Sequence, residues 1–436
     1  MDRHPLRRLA PGELPIPSLR LIDPEVDALV ARVLTEVRKE GEAALRRWAE
    51  NLGEIRPGNT LSISRQELKE AWDSLDSDAR GLLERSRDRV AAFARAQRRS
   101  LSDVDIAVSG GRAGHRFVPV RTAGCYVPGG RFPLPSSALM TIVPAKEAGV
   151  QTVWCAGPKP SRVSLGAAWL AGADGFTLCG GAQGVAALAF GVCGPRCDVV
   201  VGPGGRYAAS AKRQLSGLVG MEAPAGPSEL LVIADGTADP RLVALDLLAV
   251  AEHDPDALAM LICRNEDFAL AVETQLAMVL DSLPTENKAA AEASLAKSWI
   301  RVEPDEGSAR ALAEAAAPEH LSLQVEDPEA WASAIGSAGA IFMGGGSAEV
   351  FGDYCAGPNH TLPTGGAARF AAGLSVLTFL RPRTWLMLED PGALSQDAQA
   401  FARMEGLEAH ALAAGARSGR GRGLGQGSEP SQGQYP

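Results

Sequence analysis

The sequence predicts an α/β protein: two open α/β/α, Rossmann-like domains, preceded by a helical N-terminal segment and followed by a helical C-terminal tail. Three observations carry this. Between Thr152 and Val201 short apolar runs end near glycine and pass into alanine-rich stretches. The same rhythm restarts at Glu229, and on both flanks apolar residues recur at helical spacing. Parallel strands covered on both faces read as continuous β-branched runs, and right-handed crossovers then place helices on each side. A chain of 436 residues, 46% hydrophobic, can fill at least two cores.

In order, Glu25 to Asn51 presents Val26, Leu29, Val30, Val33, Leu34 and Val37, then Leu45 and Trp48, as a helical stripe, and Arg65 to Arg99 continues in that style. Residues 1–116 are therefore read as the helical opening, part of it packing on the second α/β domain. The first α/β domain, 117–228, has strands at Thr152–Ala156, Gly175–Cys179 and Asp198–Val201, with helices from about Ser164, from Gln183 and over Tyr207–Leu218. The second, 229–383, has strands at Glu229–Ala234, Leu258–Cys263 and Gly339–Met343, and helices at Pro240–Glu252 and Phe268–Leu280. Residues 384–417 read as a helical tail with one helix over Ser395–Ala414. Residues 418–436, rich in Gly, Ser, Gln and Arg, cannot build a core and are expected to be disordered.

A formal charge of -9 argues against a general basic field for nucleic acid. No run approaches the length of a membrane span, and the first twenty residues lack the apolar stretch of a signal peptide, so a cytoplasmic location is expected. Seven cysteines without a CxxC read as reduced core residues; Cys193 and Cys197 are close enough in sequence to share a metal, but the loop residues Gly194 and Pro195 favour an incidental pair.

Four of the six histidines stand near acids: Ala251-Glu252-His253-Asp254, Glu319-His320 after Pro318, Asp353 with His360, and Glu405 and Glu408 before His410. Imidazole and carboxylate together suit a zinc site or a proton relay. His4 and His115 lack such company. Against this, a lone Glu-His pair is usually surface, and His253 at the end of an apolar helix can simply cap it. Adjacent side chains on a helix diverge by about 100°, so Glu319 and His320 can share a cleft only from a turn or a helix start. Two glycine turns, Gly180-Gly181-Ala182-Gln183 and Gly202-Pro203-Gly204-Gly205, precede helices whose N-termini suit a phosphate, although neither is a GxGxxG fingerprint. In the loop from Tyr126 to Gly130 the aromatic ring either stacks on a flat ligand or packs in the turn.

These segments together closely resemble the histidinol dehydrogenase family. The matching residues are Tyr126-Val127-Pro128-Gly129-Gly130 with Ser136-Ser137, Gly180-Gly181-Ala182-Gln183, Ala225-Gly226-Pro227-Ser228-Glu229, Ala251-Glu252-His253-Asp254-Pro255-Asp256-Ala257, Ala317-Pro318-Glu319-His320-Leu321, Gly352-Asp353-Tyr354, Asn359-His360, Leu362-Pro363-Thr364-Gly365-Gly366, and Glu405-Gly406-Leu407 with His410. The resemblance implies zinc- and NAD-dependent oxidation of an amino alcohol, L-histidinol, to L-histidine by two hydride transfers, in a homodimer with an exchanged C-terminal tail. It also implies roles. Glu319 and His320 become the acid–base pair. His253, Asp353 and His410 become zinc ligands, with His410 reaching the partner's site. Ser228, His360 and Glu405 join His253, His320, Asp353 and His410 in contacting substrate, while Tyr126 and Gln183 line the NAD site of the first α/β domain.

Two positions depart from the family pattern. Val250 stands where a glutamine ligates zinc, three residues before His253 on the same helical face, and Gly205 replaces the asparagine of the GPGN turn. Zinc is then left with three protein ligands, a common catalytic arrangement. The departures motivate two alternatives: a paralogue oxidising another polar alcohol, with or without metal, and a non-catalytic binding protein. Retention of Glu319 and His320 speaks against the second.

Overall fold

The computed structural model describes residues 6–10, 13, 23–129, 133–223 and 226–418. Gly130, Ala225 and the expected tail beyond 418 lie outside them. The chain forms two compact units, Met1–Arg98 with Pro119–Phe379, and Arg99–Val118 with Leu380–Pro436.

The first unit opens with β1 (Arg7–Arg8), α1 (Pro24–Glu40) and α2 (Glu42–Asn51). Asp23 caps α1 by accepting from the backbone N–H groups of Glu25 and Val26, and Pro24 takes the first turn, where no N–H is needed. Val26, Val30, Val33, Leu34 and Val37 form the buried face. The single expected helix is broken at Gly41, whose φ of 60° ends the first helix and turns the chain into the second. Next come β2 (Ser62–Ser64), α3 (Arg65–Asp73), begun by a Ser64–Glu67 capping box, and α4 (Ser77–Arg99).

After β3 (Val104–Val108) and β4 (Gly111–Pro119), which belong to the second unit, follow β5 (Thr122–Tyr126), α5 (Pro135–Ala148), β6 (Thr152–Ala156), α6 (Arg162–Ala171), β7 (Gly175–Thr177), α7 (Gly181–Phe190), β8 (Val199–Val201), α8 (Arg206–Leu215) and β9 (Gly220–Met221). The first sheet runs β2-β7-β6-β5-β8-β9 and is parallel apart from β2. α1 packs with α7 and α8 over one face, in a core that includes Tyr126 and Val200.

The second sheet follows with β10 (Glu229–Ala234), α9 (Pro240–Ala251), β11 (Leu258–Cys263), α10 (Glu266–Leu280), α11 (Thr285–Leu295), β12 (Trp299–Val302), α12 (Glu306–Ala316), β13 (His320–Gln324), α13 (Pro328–Ala334), β14 (Ala340–Met343) and α14 (Glu349–Tyr354). Its order is β1-β12-β11-β10-β13-β14, with every pairing parallel. The residues before α1 thus supply its edge strand.

Strand alternation explains what this sheet buries. Leu230, Val232 and Ala234 enter the core beneath α9, α10 and α11, while Leu231 and Ile233 enter the core beneath α12 and α13. On β13, Leu321 and Leu323 join the second of these cores. His320, Ser322 and Gln324 therefore face the α9 side, in register with Leu230, Val232 and Ala234. One face of one buried strand is polar, and the functional cluster is built there.

In the second unit β15 (Leu380–Leu388), β4 and β3 form a three-stranded sheet, followed by α15 (Gly392–Met404) and α16 (Glu408–Gly415). The sequence reading expects helix here on both sides of the α/β domains. β3 and β15 are mostly exposed, so neither is the unbroken apolar run that marks a strand covered on both faces. The tail helix is split in two, with Gly406 at φ 74° between its halves. His115 lies in β4 against the Phe117 ring, 5.2 Å between centroids.

One glycine is fixed by a close approach. Gly202, at φ 120° after β8, lies where a Cβ would collide with the Tyr126 carbonyl oxygen. Gly202→Ala should cost about 1–3 kcal/mol through strain at this φ alone, read as a lower denaturant midpoint; a midpoint equal to that of the wild type would show that the turn relaxes freely.

Candidate active site

The polar face of β13 meets the single short helix α14. Glu349 and Asp353, four residues apart, share one face of it, and both are buried, as are Glu319, His320 and Glu229. His320 is the first residue of a strand, not of the turn or helix start the sequence suggested, and Glu319 immediately precedes it. The carboxylate Oε2 of Glu319 accepts from the Glu229 backbone N–H at 2.9 Å. Glu229 Oε1 accepts from the Gly365 N–H at 3.0 Å, in a loop where Gly365 and Gly366 both take positive φ. That accounts for the paired glycines after Thr364.

His320 Nδ1 lies 3.1 Å from the Glu229 backbone carbonyl oxygen. A carbonyl only accepts, so Nδ1 carries the proton and a neutral ring keeps its lone pair on Nε2. Nε2 is buried and has no partner among the described residues. The same Nδ1 stands 3.5 Å from Glu319 and 3.7 Å from Glu349. Burial disfavours the imidazolium, but Glu349 and Glu319 outweigh it and raise the ring's pKa. Burial pushes Glu229 up to about 7 and also raises Glu349, against the pull of His320. The Phe342 ring of β14 lies 5.8 Å from the imidazole, and Gly352 of α14 sits so close to Phe342 that an added Cβ would come within 2.9 Å of the ring.

His360 repeats the pattern. Its Nδ1 is 2.9 Å from the Asp353 carbonyl oxygen, and its buried Nε2 has no partner; burial lowers its pKa. Among the described residues, one group of potential metal ligands has its atoms mutually within 4.8 Å: His320, Glu349 and Asp353. Asp353 alone of these was an expected ligand. Glu349 was missed, although its spacing from Asp353 is the signal that finds it. Deeper on the same side, Asp246 of α9 accepts from Gln324 Nε2 at 2.8 Å, and burial raises its pKa to about 6.

The remaining expected residues are more dispersed. α9 ends at Ala251, so His253 lies beyond it in an exposed turn and is not on the helical face invoked for position 250. Val250 is fully enclosed in the apolar core with Leu247 and Ala251. Ser228 is half-buried just before β10, and its carbonyl accepts from the Leu258 N–H. Glu405 and His410 belong to the second unit, where both are exposed.

The cluster sits at the amino-terminal ends of β10 and β13. In the first sheet the expected nucleotide residues sit at the opposite, carboxyl ends, the usual ligand edge of an open α/β sheet. Tyr126 closes β5 with its ring buried and its hydroxyl accepting from the Gly181 N–H at 2.8 Å; burial raises the phenol to about 12. Gln183, in the first turn of α7, is buried and donates to Glu54, which also accepts from the Gly180 N–H at 3.1 Å. A carboxylate thus already occupies the α7 N-terminus. Gly205 caps α8, and a Cβ added there would meet no atom within 4 Å, so packing does not exclude a side chain at this position. The loop between is held from below by a buried ion pair, in which Lys212 bonds Glu222 and donates to the Gly202 carbonyl at 2.7 Å, while Glu222 accepts from the Gly202 N–H at 2.9 Å.

Comparison with known proteins adds to this geometry. The family model described as histidinol dehydrogenase matches residues 20–418. The histidinol dehydrogenase of Thermus thermophilus is 43% identical over 393 residues, covering 89% of this chain and 94% of its own. That of Cupriavidus pinatubonensis is 40% identical over 404 residues, covering 90% and 91%. The crystal structure of histidinol dehydrogenase from Elizabethkingia anophelis superposes with a TM-score of 0.84 at 29% identity, over 95% of this chain and 94% of that one.

Proposed function

The chain belongs to the histidinol dehydrogenase family, and on that premise we propose how its own side chains carry the oxidation. It is an NAD-dependent oxidoreductase acting on a CH–OH group, taking L-histidinol to L-histidine through a bound aldehyde. The paralogue and binding-protein alternatives are not favoured, because relatives about 40% identical over nine-tenths of the chain carry the same name. No helix among the described residues is long and apolar enough to cross a membrane.

The observation that carries the mechanism is the partnerless Nε2 of His320. With Nδ1–H held by the Glu229 carbonyl, Nε2 takes the hydroxyl proton as hydride leaves the carbinol carbon. Glu319 then takes a proton from the water that attacks the aldehyde while His320 returns its proton to the former carbonyl oxygen, and the ring, neutral again, accepts the proton of the hydrate during the second hydride transfer. His360 presents a second free nitrogen and, with Ser228, contacts substrate, while the family resemblance implies a further contact from Glu405. The NAD half of the site uses Tyr126 and Gln183 in the first α/β domain, while the second α/β domain carries the acid–base and metal residues.

Buried Glu349 Oε2 and the free nitrogen of His360 fit a cation. Asp353, His253 and His410 would hold zinc, His410 arriving from a partner subunit. When bound, zinc supplies orientation of the substrate and positive charge that offsets the carboxylates around His320, a ring that must start neutral to act as base. The exchanged tail is supported by α15, α16 and the turn between them, which leave Phe401, Met404, Leu407 and Leu412 exposed. A cytoplasmic location is supported by seven unpaired cysteines.

Glu319→Gln separates the two oxidations. The amide oxygen still accepts from the Glu229 N–H but cannot activate water. NADH formed per histidinol should fall from two toward one, with aldehyde trapped by a carbonyl reagent; two equivalents formed at the wild-type rate would remove Glu319 from the second step.

A further inference from the structure

We propose that Glu349 is a metal ligand in this chain, pairing with Asp353 across one turn of α14. The inference rests on the zinc-dependent reading above and concerns which residues hold the ion.

Three observations converge. Glu349 is 4% exposed, and its Oε2 has no hydrogen-bond partner among the described residues. Its carboxylate, that of Asp353 and an imidazole nitrogen of His320 lie within 4.8 Å of one another, in reach of a common ion after small rotations. The local charge is unbalanced: Glu229, Glu319, Glu349 and Asp353 are all buried, and among the described residues the imidazole of His320, 3.5 Å from Glu319 and 3.7 Å from Glu349, is the one basic side chain paired with any of them. Buried carboxylates left without a countercharge or hydrogen bonds are costly, and a divalent cation resolves the imbalance.

His320 is the less suitable ligand of the three. Its one lone pair cannot serve both a metal and the hydroxyl proton, so the ring stays outside the ion's inner sphere. Position 250, on the helix beside this cluster, contributes only a hydrocarbon side chain within the apolar core. Glu349 therefore brings an oxygen ligand that the chain otherwise lacks. It also brings a negative charge where an amide would bring none, which makes the site's grip on the ion stronger and the ion itself less electrophilic.

Zinc content and affinity decide the matter, independently of turnover. Full-length wild type, Glu349→Gln and Asp353→Asn are loaded with zinc and dialysed against graded chelator. The metal is counted by mass spectrometry, and melting temperatures are recorded with and without zinc. Glutamine has the shape of glutamate and removes a buried charge, so the metal-free variant should melt no lower than metal-free wild type. The expected result is a zinc affinity lowered at least about 10- to 100-fold in Glu349→Gln, the range seen even for outer partners of a metal, with a smaller zinc-induced rise in melting temperature. A Glu349→Gln protein that holds zinc as tightly as wild type overturns the assignment, even if its turnover falls, because a residue that merely steers His320 would behave that way. Wild type that binds no zinc overturns the metal reading itself, and this one with it. Loss of zinc in Asp353→Asn but not in Glu349→Gln leaves the family reading standing and sinks only ours.

Discussion

Replacing His320 by glutamine will lower kcat for L-histidinol by roughly 10²- to 10⁴-fold, the usual contribution of a positioned general base. Glutamine keeps a nitrogen donor near the Glu229 carbonyl but has no lone pair of comparable basicity where Nε2 stands. The ring's surroundings sharpen this expectation. Nδ1 is committed to a main-chain acceptor, so the proton can arrive only at Nε2, and among the described residues no other side chain competes for that atom. Because the loss concerns the transition state, kcat and kcat/KM should fall together, with KM changed little. His320→Ala should show the same rate defect and, by opening a hole among buried carboxylates, a lower melting temperature. Circular dichroism and NADH formation on the same samples check both. A glutamine variant within tenfold of the wild-type rate would remove His320 from the chemistry.

Lys212→Met will be the most destabilising of the changes considered. Lys212 and Glu222 are buried together beneath the turn at Gly202, and removing one partner strands a carboxylate in a low-dielectric interior. The expected cost is about 3–5 kcal/mol, seen as a large shift of the denaturant midpoint. The double variant Lys212→Met/Glu222→Gln keeps an acceptor for the Gly202 N–H and strands no charge, so most of the loss should be recovered. A single variant within about 1 kcal/mol of wild type, well below the penalty for an unpaired buried charge, would mean that Glu222 swings out to solvent. NAD binding should weaken in the single variant as well, since the same pair shapes the loop leading to Gly205.

Legibility in the sequence followed burial. β6, β10 and β11 stand at the residues expected for them, because a strand covered on both faces is an unbroken apolar run. β3 and β15 are exposed over most of their length and leave no such trace, so their sheet went unread. Helical periodicity located α1 and α2 but not the break at Gly41, since a glycine within an amphipathic stripe disturbs its pattern by one position only. Glu319 and His320 were legible as chemistry but not as structure. A strand that opens on a histidine just after a glutamate looks like a turn until its neighbours are known to bury it. Glu349 escaped for a different reason: an acid in the first turn of a short helix reads as an ordinary response to the helix dipole, and only the folded chain puts it opposite His320.

The contact between Gly352 and Phe342 gives that arrangement its scale. One edge of the Phe342 ring bears the backbone of α14, and the ring lies tilted beside the imidazole, so a single benzene ring sets how closely the helix that carries Glu349 and Asp353 seats against β14. Polar groups can rotate and water can come and go, but a ring lodged against bare backbone does not compress. The seat of α14 is thereby gauged in carbon, and a methyl group added at position 352 would press the helix that bears Glu349 and Asp353 away from the ring.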